Sequence, residues 1–251
     1  MNTDEVLQPE NPTAATQASA ADMQHDAPAS DDLAAQLIAV NRGRAATYGL
    51  LSRLCRAEVD EALLEQLHGL TYKVSTGNAN MDEGHRLLAT ALSGIWENTL
   101  TELAADYLRT FFGHGYSGHS AAYPFESVYA SEKRLLMSDA RDEVLALYRA
   151  AGLEKRPSWK EGEDHVALEL EFMQIMANRA VECLASGDMD GATSWLSRSK
   201  GFLDDHLGAW LPLLAQSMRD FARTTFYQGL SFMLEGFAES DAELLSDMLG
   251  A

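Results

Sequence analysis

The chain of 251 residues is poor in three features that would each have indicated a class of protein. Its two cysteines, Cys55 and Cys183, are too few for a disulfide framework, and we expect both to be buried thiols. Valine and isoleucine together occur 11 times against 35 leucines. Because β-branched residues favour strands, this shortage argues against a β-rich fold and favours an all-α one.

Basic residues are also scarce, since 19 lysines and arginines stand against 38 acidic residues. The formal net charge of −19 disfavours nucleic acid and anionic membrane surfaces as partners and favours cationic ones. No apolar run is long enough for a transmembrane helix, and no basic segment followed by an apolar one indicates a signal peptide. We therefore expect a cytoplasmic protein.

Sequence motifs of enzymes are missing as well. The chain has no phosphate-binding glycine motif, no Gly-x-Ser-x-Gly, no Cys-x-x-Cys and no His-Glu-x-x-His. These absences indicate no enzyme class, and we predict no catalytic residue and no cofactor.

Residues 1–32 differ in composition from the rest of the chain. They include seven acidic residues, three prolines and no lysine or arginine. Such a segment has too little apolar area to offset the entropy of ordering it, so we predict a disordered acidic tail.

Apolar residues at helical spacing follow from Leu33 onward and predict a bundle of about nine helices without strands. Ser30 or Asp31 is suited to cap the first helix, and Gly152 to end the fifth. We predict an N-terminal lobe (33–154), a connector or hinge (155–162) and a C-terminal lobe (163–251), in a monomer or a lobe-swapped dimer. The predicted helices cover residues 33–54, 63–70, 87–96, 100–112, 126–151, 166–184, 189–207, 210–223 and 225–249.

Three histidines are candidate metal ligands. His114 and His119 lie in the glycine-rich loop 113–120, and His165 follows Asp164. Three such ligands could hold a metal only if the fold brought them together. A helical metal-dependent hydrolase is therefore an alternative, beside the interpretation that these are solvated loop histidines.

Asp164 and His165 stand where the connector meets an amphipathic helix. Asp164 could cap that helix, or the pair could meet a cationic ligand at the mouth of a cleft. Glu169 is one helical turn further on the same edge, whereas Glu171 falls on the polar side.

Aromatic residues flank the glycine-rich loop on both sides. Aromatics at helical spacing are usually core residues, but beside a glycine-rich loop they could also line an apolar groove. The cluster consists of Tyr107, Phe111, Phe112, Tyr123, Phe125 and Tyr129.

Three segments, in this order, resemble motifs of the TorD/DmsD/NarJ family of chaperones for molybdenum-containing redox enzymes. Residues 103–113 (LAADYLRTFFG) are similar to the family's Glu-Tyr-x-x-Leu-Phe helix end. Residues 123–129 (YPFESVY) resemble its Pro-Tyr-Glu-Ser-Val-Tyr segment, and residues 163–173 (EDHVALELEFM) its Pro-x-Asp-His-x-x-x-Glu-Leu-x-Phe-Met motif. Residues 44–51 (RAATYGLL) suit the family's first helix, and the resemblance covers about residues 33–240.

The chain departs from the family pattern at three positions. Gly162 replaces a proline, Phe125 a tyrosine and Thr110 a leucine. The hinge is therefore expected to be looser, and one hydroxyl is lost. The acidic tail is an addition that the resemblance does not cover.

The resemblance implies a non-catalytic chaperone that binds the twin-arginine signal peptide, and often the body, of a molybdopterin oxidoreductase until cofactor insertion and export. Such a peptide joins arginines to an apolar stretch, so its receptor needs carboxylates beside an apolar groove. The alternative is an adaptor that binds a folded cytoplasmic reductase subunit. The expected peptide-binding residues are Asp106, Tyr107, Phe111, Pro124, Phe125, Glu126, Ser127, Tyr129, Asp164, His165 and Glu169.

Overall fold

A computed structural model describes residues 7–9, 28–94, 96–113, 121–130 and 139–250. These residues are predominantly helical, which confirms the all-α prediction. The helices are α1 (Pro28–Arg56), α2 (Glu61–His68), α3 (Ala79–Ser93), α4 (Thr99–Phe111), α5 (Glu126–Ala130), α6 (Asp139–Ala150), α7 (Val166–Ala185), α8 (Met189–Phe202), α9 (Gly208–Phe221) and α10 (Thr225–Leu249). None of these helices is long and apolar enough to cross a membrane.

Two short strands correct the prediction that the chain has none. Strand β1 (Leu7–Pro9) pairs antiparallel with β2 (Leu153–Lys155). Residues 7–9 belong to the segment that we predicted to be a disordered tail, and they are ordered because Leu7 is buried in the core. The other residues before Pro28 lie outside the described part of the chain.

The first helix begins earlier than predicted. It starts at Pro28 rather than near residue 33, and proline suits a first helical turn because its missing N–H has no partner to lose there. Ser30 and Asp31 are within the helix, so the prediction that one of them is its N-cap was wrong.

The predicted helix 126–151 is present at both ends, as α5 and α6, while residues 131–138 lie outside the described part. Gly152 follows α6 with φ of 69°, which confirms that it ends this helix in the left-handed region. Residues 114–120 of the glycine-rich loop, with His114 and His119, also lie outside the described residues.

The helices predicted at 189–207 and 210–223 form one continuous rod with a widened turn inside it. The turn is a π-helix, Leu203–Leu207, between α8 and α9. Gly208 closes it, and a Cβ there would lie 2.5 Å from the carbonyl oxygen of Leu203. Only glycine therefore fits at that position without displacement of the backbone.

Helix α7 is the central element, because it packs against α1, α8 and the π-turn. Helix α10 packs against α3 and α9. Helices α1 and α3 belong to the predicted N-terminal lobe and α7 and α10 to the C-terminal one, and one hydrophobic cluster includes residues of all four. The division into two lobes at residues 155–162 stays a prediction.

Helices α3 and α10 approach closely where each carries a glycine. A Cβ on Gly84 would lie 2.9 Å from the backbone nitrogen of Met233. A Cβ on Gly236 would likewise overlap the backbone at Met81. The two backbones are therefore closer together here than side chains would allow.

A buried ion pair joins the first and the last helix, α1 and α10. Arg44 of α1 donates through Nη2 to Asp241 Oδ2 of α10 at 2.9 Å, and both side chains are almost fully buried. Tyr48 donates its hydroxyl to the same oxygen at 2.7 Å, and Asn41 Oδ1 accepts from Arg44 Nη1 at 2.7 Å. Every charged atom of the pair thus has a partner, as burial requires.

Replacing Asp241 by alanine should lower the free energy of unfolding by about 3–5 kcal/mol, because Arg44 would remain buried without a counter-ion. Urea unfolding followed by circular dichroism measures this loss. Glu83→Ala is the matched control, because it removes an exposed pair with Arg86 and should cost about 1 kcal/mol or less. Equal losses in the two variants would contradict this role of Asp241.

Candidate functional site

The structure divides the predicted binding residues into two groups. Asp106, Tyr107 and Phe111 lie on α4, toward the start of α10. The other eight surround the junction between α5 and α7. They are Pro124, Phe125, Glu126, Ser127, Tyr129, Asp164, His165 and Glu169.

Asp106 fixes the start of α10. Its carboxylate accepts hydrogen bonds from the backbone nitrogens of Arg223 and Thr224, at 3.1 and 2.7 Å, and from the Thr224 hydroxyl at 2.6 Å. Arg109 adds an ion pair at 2.7 Å. Asp106 is fully buried, and Thr224 is the N-cap of α10. These contacts occupy the carboxylate with helix capping.

Tyr107 and Phe111 are core residues. Their rings are 5.0 Å apart, and both pack near Tyr227 of α10. The Tyr107 hydroxyl donates to the carbonyl of Cys55 at 3.2 Å. Cys55 is buried, as predicted, whereas Cys183 is only partly so. This part of the predicted aromatic groove is closed by other side chains.

The second group is organised by Asp164. Its backbone carbonyl accepts from the Glu126 nitrogen at 3.0 Å, and its carboxylate Oδ2 from the Ser127 nitrogen at 3.1 Å. The Pro124 carbonyl accepts in turn from the Val166 nitrogen at 2.9 Å. Asp164 therefore caps α5, and the predicted alternative that it caps α7 was wrong.

His165 is the N-cap of α7, since its Nδ1 accepts from the Ala167 nitrogen at 3.1 Å. Phe125 and Trp159 stand edge-on to its ring, with centroids at 5.0 and 5.1 Å. His165 is only 4% exposed, which corrects the interpretation of a solvated loop histidine. Burial lowers its pKa to about 3, so the ring is neutral and Nδ1 is free to accept.

Glu169 is hydrogen-bonded to one member of an aromatic pair, Trp210 and Tyr129. Trp210 of α9 donates its indole N–H to Glu169 Oε2 at 2.9 Å and stacks on Tyr129 with centroids 5.5 Å apart. Burial, and then the neighbouring Glu126 carboxylate, raise the pKa of Glu169 well above its usual value. Glu169 therefore releases its proton less readily than an exposed glutamate does.

Glu126 is paired with a histidine that the sequence analysis did not select. His206 of the π-turn places Nδ1 3.2 Å from Glu126 Oε1. The hydrogen bond with Glu126 raises the pKa of His206, although burial opposes this. The pair thus links α5 to the π-turn through a bond that favours the charged imidazolium.

His206 also lines an apolar pocket of about 300 Å3 between α6, α7, α8 and the π-turn. The polar members of its lining are Arg198, Asp205 and His206. The other members are Leu147, Ala150, Ala151, Phe172, Met176, Gly201 and Phe202. The pocket thus combines an apolar interior with charged groups at its edge, as many ligand sites do.

The sequence carried only weak signals for this pocket. His206 and Trp210 are four residues apart, a helical spacing that would place them on one face, but a π-turn has no sequence motif. Neither Phe172 nor Met176 of α7 was selected in the sequence analysis. The pocket needs four elements together, and no local pattern shows that.

The metal alternative has no support in the part of the chain that the structure describes. Within those residues, no three histidines, cysteines or acidic side chains are grouped as metal ligands would be. His165 uses Nδ1 to cap a helix. His114 and His119 are not among the described residues.

Comparisons with known proteins agree with the resemblance seen in the sequence motifs. The sequence model of the nitrate reductase delta subunit family matches residues 77–216. A protein of Photobacterium profundum named chaperone protein TorD is 27% identical over 84% of this chain and 97% of its own. Proteins of the same name from Vibrio parahaemolyticus and a Psychrobacter species are 28% and 25% identical, over 82% and 85% of this chain and 96% of each relative.

The raised pKa of Glu169 predicts a pH dependence of stability. A carboxyl whose pKa is higher in the folded than in the unfolded state stabilises the fold below the unfolded value, near 4.5, and this contribution is lost as the pH rises through the folded value. We expect Glu169→Gln, which keeps an acceptor for Trp210, to reduce the fall in unfolding free energy as the pH rises above the unfolded value by up to roughly 1 kcal/mol per pH unit.

Urea unfolding at several pH values measures that slope. Glu65→Gln, at an exposed position of α2, is the control and should leave the slope unchanged. Parallel curves for the wild type and Glu169→Gln would contradict the raised pKa of Glu169.

Proposed function

The chain belongs to the nitrate reductase delta subunit family, and we propose that it is a chaperone that binds the twin-arginine signal peptide of a molybdenum-containing oxidoreductase and holds it until cofactor insertion and export. The family and the relatives named as chaperones support a chaperone rather than an enzyme, as the sequence analysis predicted. The proposed setting is the cytoplasm, where such a leader is still attached.

The observation that carries the proposal is the apolar pocket beside His206. Its volume of about 300 Å3 suits one or two large apolar side chains, and its walls are aliphatic and aromatic. A twin-arginine leader offers such side chains in its apolar stretch. In this proposal the pocket binds the apolar stretch of the peptide, which follows the arginines.

Acidic groups beside the pocket suit the arginines of the peptide. Asp205 and Glu143 are both exposed, and both contribute to the raised pKa of His206, which places their charges near its ring. The cation at the edge, Arg198, is stacked over Trp195 at 4.9 Å. A guanidinium of the ligand could therefore pair with Asp205 at the mouth.

In our proposal, the predicted residues of the α5–α7 junction hold the elements that form the pocket and do not contact the peptide themselves. Glu126 bonds to His206 of the π-turn, which forms one wall, and Glu169 accepts from Trp210 in the first turn of α9, directly after it. Asp164 and His165 set the starts of α5 and α7. We propose that these residues position the peptide site, with Asp205 and Leu147 among the groups that the peptide touches.

The second candidate is an adaptor that binds a folded reductase subunit without its leader. The matched family is named for a reductase subunit, which favours the adaptor function. Pull-down of a client that lacks its leader separates the two functions. Retained binding supports the adaptor, and lost binding supports the recognition of the leader.

Ala150→Trp should weaken binding of a twin-arginine peptide about tenfold or more, because Ala150 is exposed at the edge of the pocket and an indole there would fill the mouth. Isothermal calorimetry with a synthetic leader measures this. Ala146→Trp is the control, since Ala146 is exposed one turn earlier on α6 and does not line the pocket. Unchanged affinity in Ala150→Trp would reject the pocket as the peptide site.

Asp205→Asn should lower the affinity for the same peptide about fivefold and weaken its dependence on salt, because one charge-assisted contact is removed. Asp204→Asn is the matched control, because Asp204 is adjacent, exposed and pairs with Lys200 outside the pocket. Titrations at two salt concentrations give both quantities. The assignment fails if Asp204→Asn and Asp205→Asn weaken binding alike.

A further inference from the structure

We propose that the edge of β2, together with Glu171, is a second peptide-binding site, and that the chain's own residues 7–9 occupy it as an exchangeable ligand. The ligand class is an extended peptide with a leucine-sized residue preceded by acidic residues. This site is separate from the apolar pocket and does not depend on the function proposed for that pocket.

The recognition is by strand addition. Leu7 lies opposite Lys155, Gln8 opposite Glu154 and Pro9 opposite Leu153 in an antiparallel pair. Within the described residues, the sheet consists of these two strands. A receptor edge of this kind binds backbone, so any segment that can extend and offer its N–H and C=O groups can compete.

Two further contacts make the edge selective. The Leu7 side chain is 2% exposed and belongs to the hydrophobic core. Its backbone nitrogen donates to Glu171 Oε1 of α7 at 3.0 Å, in a buried position. Glu171 was predicted on the polar side of α7, and its burial is the correction that reveals the site. The core residues around the Leu7 side chain and the buried acceptor for its N–H together define where a ligand leucine lies.

A cationic side chain beside the edge of β2 suits an acidic ligand at this one place, although the chain as a whole is acidic. Leu7 lies opposite Lys155, and Arg156, which follows β2 directly, is the next residue of the receptor beyond that pair. The Arg156 Nε is buried and has no hydrogen-bond partner among the described residues. In the sequence, Asp4 and Glu5 precede Leu7, and residues 1–32 contain no lysine or arginine. Acidic residues before the leucine therefore complement the receptor.

The small size of β1 is the reason to expect exchange. Three paired residues and one buried side chain form a short interface, and residues 10–27 connect it to α1. A tethered ligand of this kind is held by a high effective concentration, on the order of millimolar, rather than by intrinsic affinity. A second peptide with the same pattern can then take its place.

The test uses the full-length chain with Leu7→Asp, which should release the edge of β2, and a fluorescent synthetic peptide of residues 1–12 as the probe. Fluorescence anisotropy should show binding to this variant, with an affinity at least about tenfold higher than for the wild type, whose own residues 7–9 compete. Leu33→Asp is the matched control, because Leu33 is an exposed leucine, and it should behave as the wild type does.

Two probe variants test the chemistry of the site. A peptide with Leu7→Asp should not bind, and one with Asp4→Asn and Glu5→Gln should bind about threefold to tenfold more weakly. Equal binding of the probe to the wild type and to Leu7→Asp, or no binding to either, overturns the proposal. So does equal binding of the two probe variants and the original peptide.

Hydrogen exchange of the wild-type chain keeps the proposal testable if Leu7→Asp does not fold. The amides of Leu153–Lys155 should exchange through local opening, faster than the core amides of α7. Addition of unlabelled peptide should leave α7 unaffected. Exchange of the β2 amides only at the rate of α7 would mean that β1 is a permanent part of the core and would overturn the proposal.

Discussion

Burial of carboxyl groups at the start of α7 is the constraint on which the rest of the structure depends. Four acidic side chains within nine residues are almost fully buried there, and each needs a partner because an unpaired buried carboxylate is costly. The partners come from distant parts of the chain: β1 and α5 supply backbone amides, α9 an indole N–H, and α6 and β2 two cations. The start of α7 thus gathers five other elements around itself. The four acidic residues are Glu163, Asp164, Glu169 and Glu171.

This arrangement separates the residues that build the site from those that a partner can reach. Asp164 and His165 are buried and cap helices, whereas Asp205 and Leu147 are exposed at the pocket. The acidic character of the whole chain, with a net charge of −19, draws a basic peptide toward any of its surfaces. In the proposed function, selectivity comes from the apolar pocket and from the geometry of the few charges beside it, since a diffuse field does not distinguish one basic segment from another.

The sequence predicted the helices well and the contacts between them poorly. Leucine spacing located most helices, and three ordered motifs indicated the family before any geometry was known. Burial of acidic residues could not be predicted, because amphipathic patterns assign glutamate to the solvent side, as happened for Glu171. The bond between Leu7 and Glu171 joins residues 164 positions apart, and no local pattern encodes it. His206 was not selected in the sequence analysis for the same reason, since its hydrogen-bond partner Glu126 is 80 positions away.

The π-turn between α8 and α9 fixes the rotational phase of everything that follows it. Such a turn holds one residue more than an α-helical turn does, so winding Leu203–Leu207 as a regular α-helix of the same length would rotate α9 by about 100° about its axis. Trp210 would then point away from Glu169, and a different face of α9 would meet α10. The winding of one five-residue segment, as a π-turn rather than an α-helix, therefore decides which surface α9 presents to the bundle.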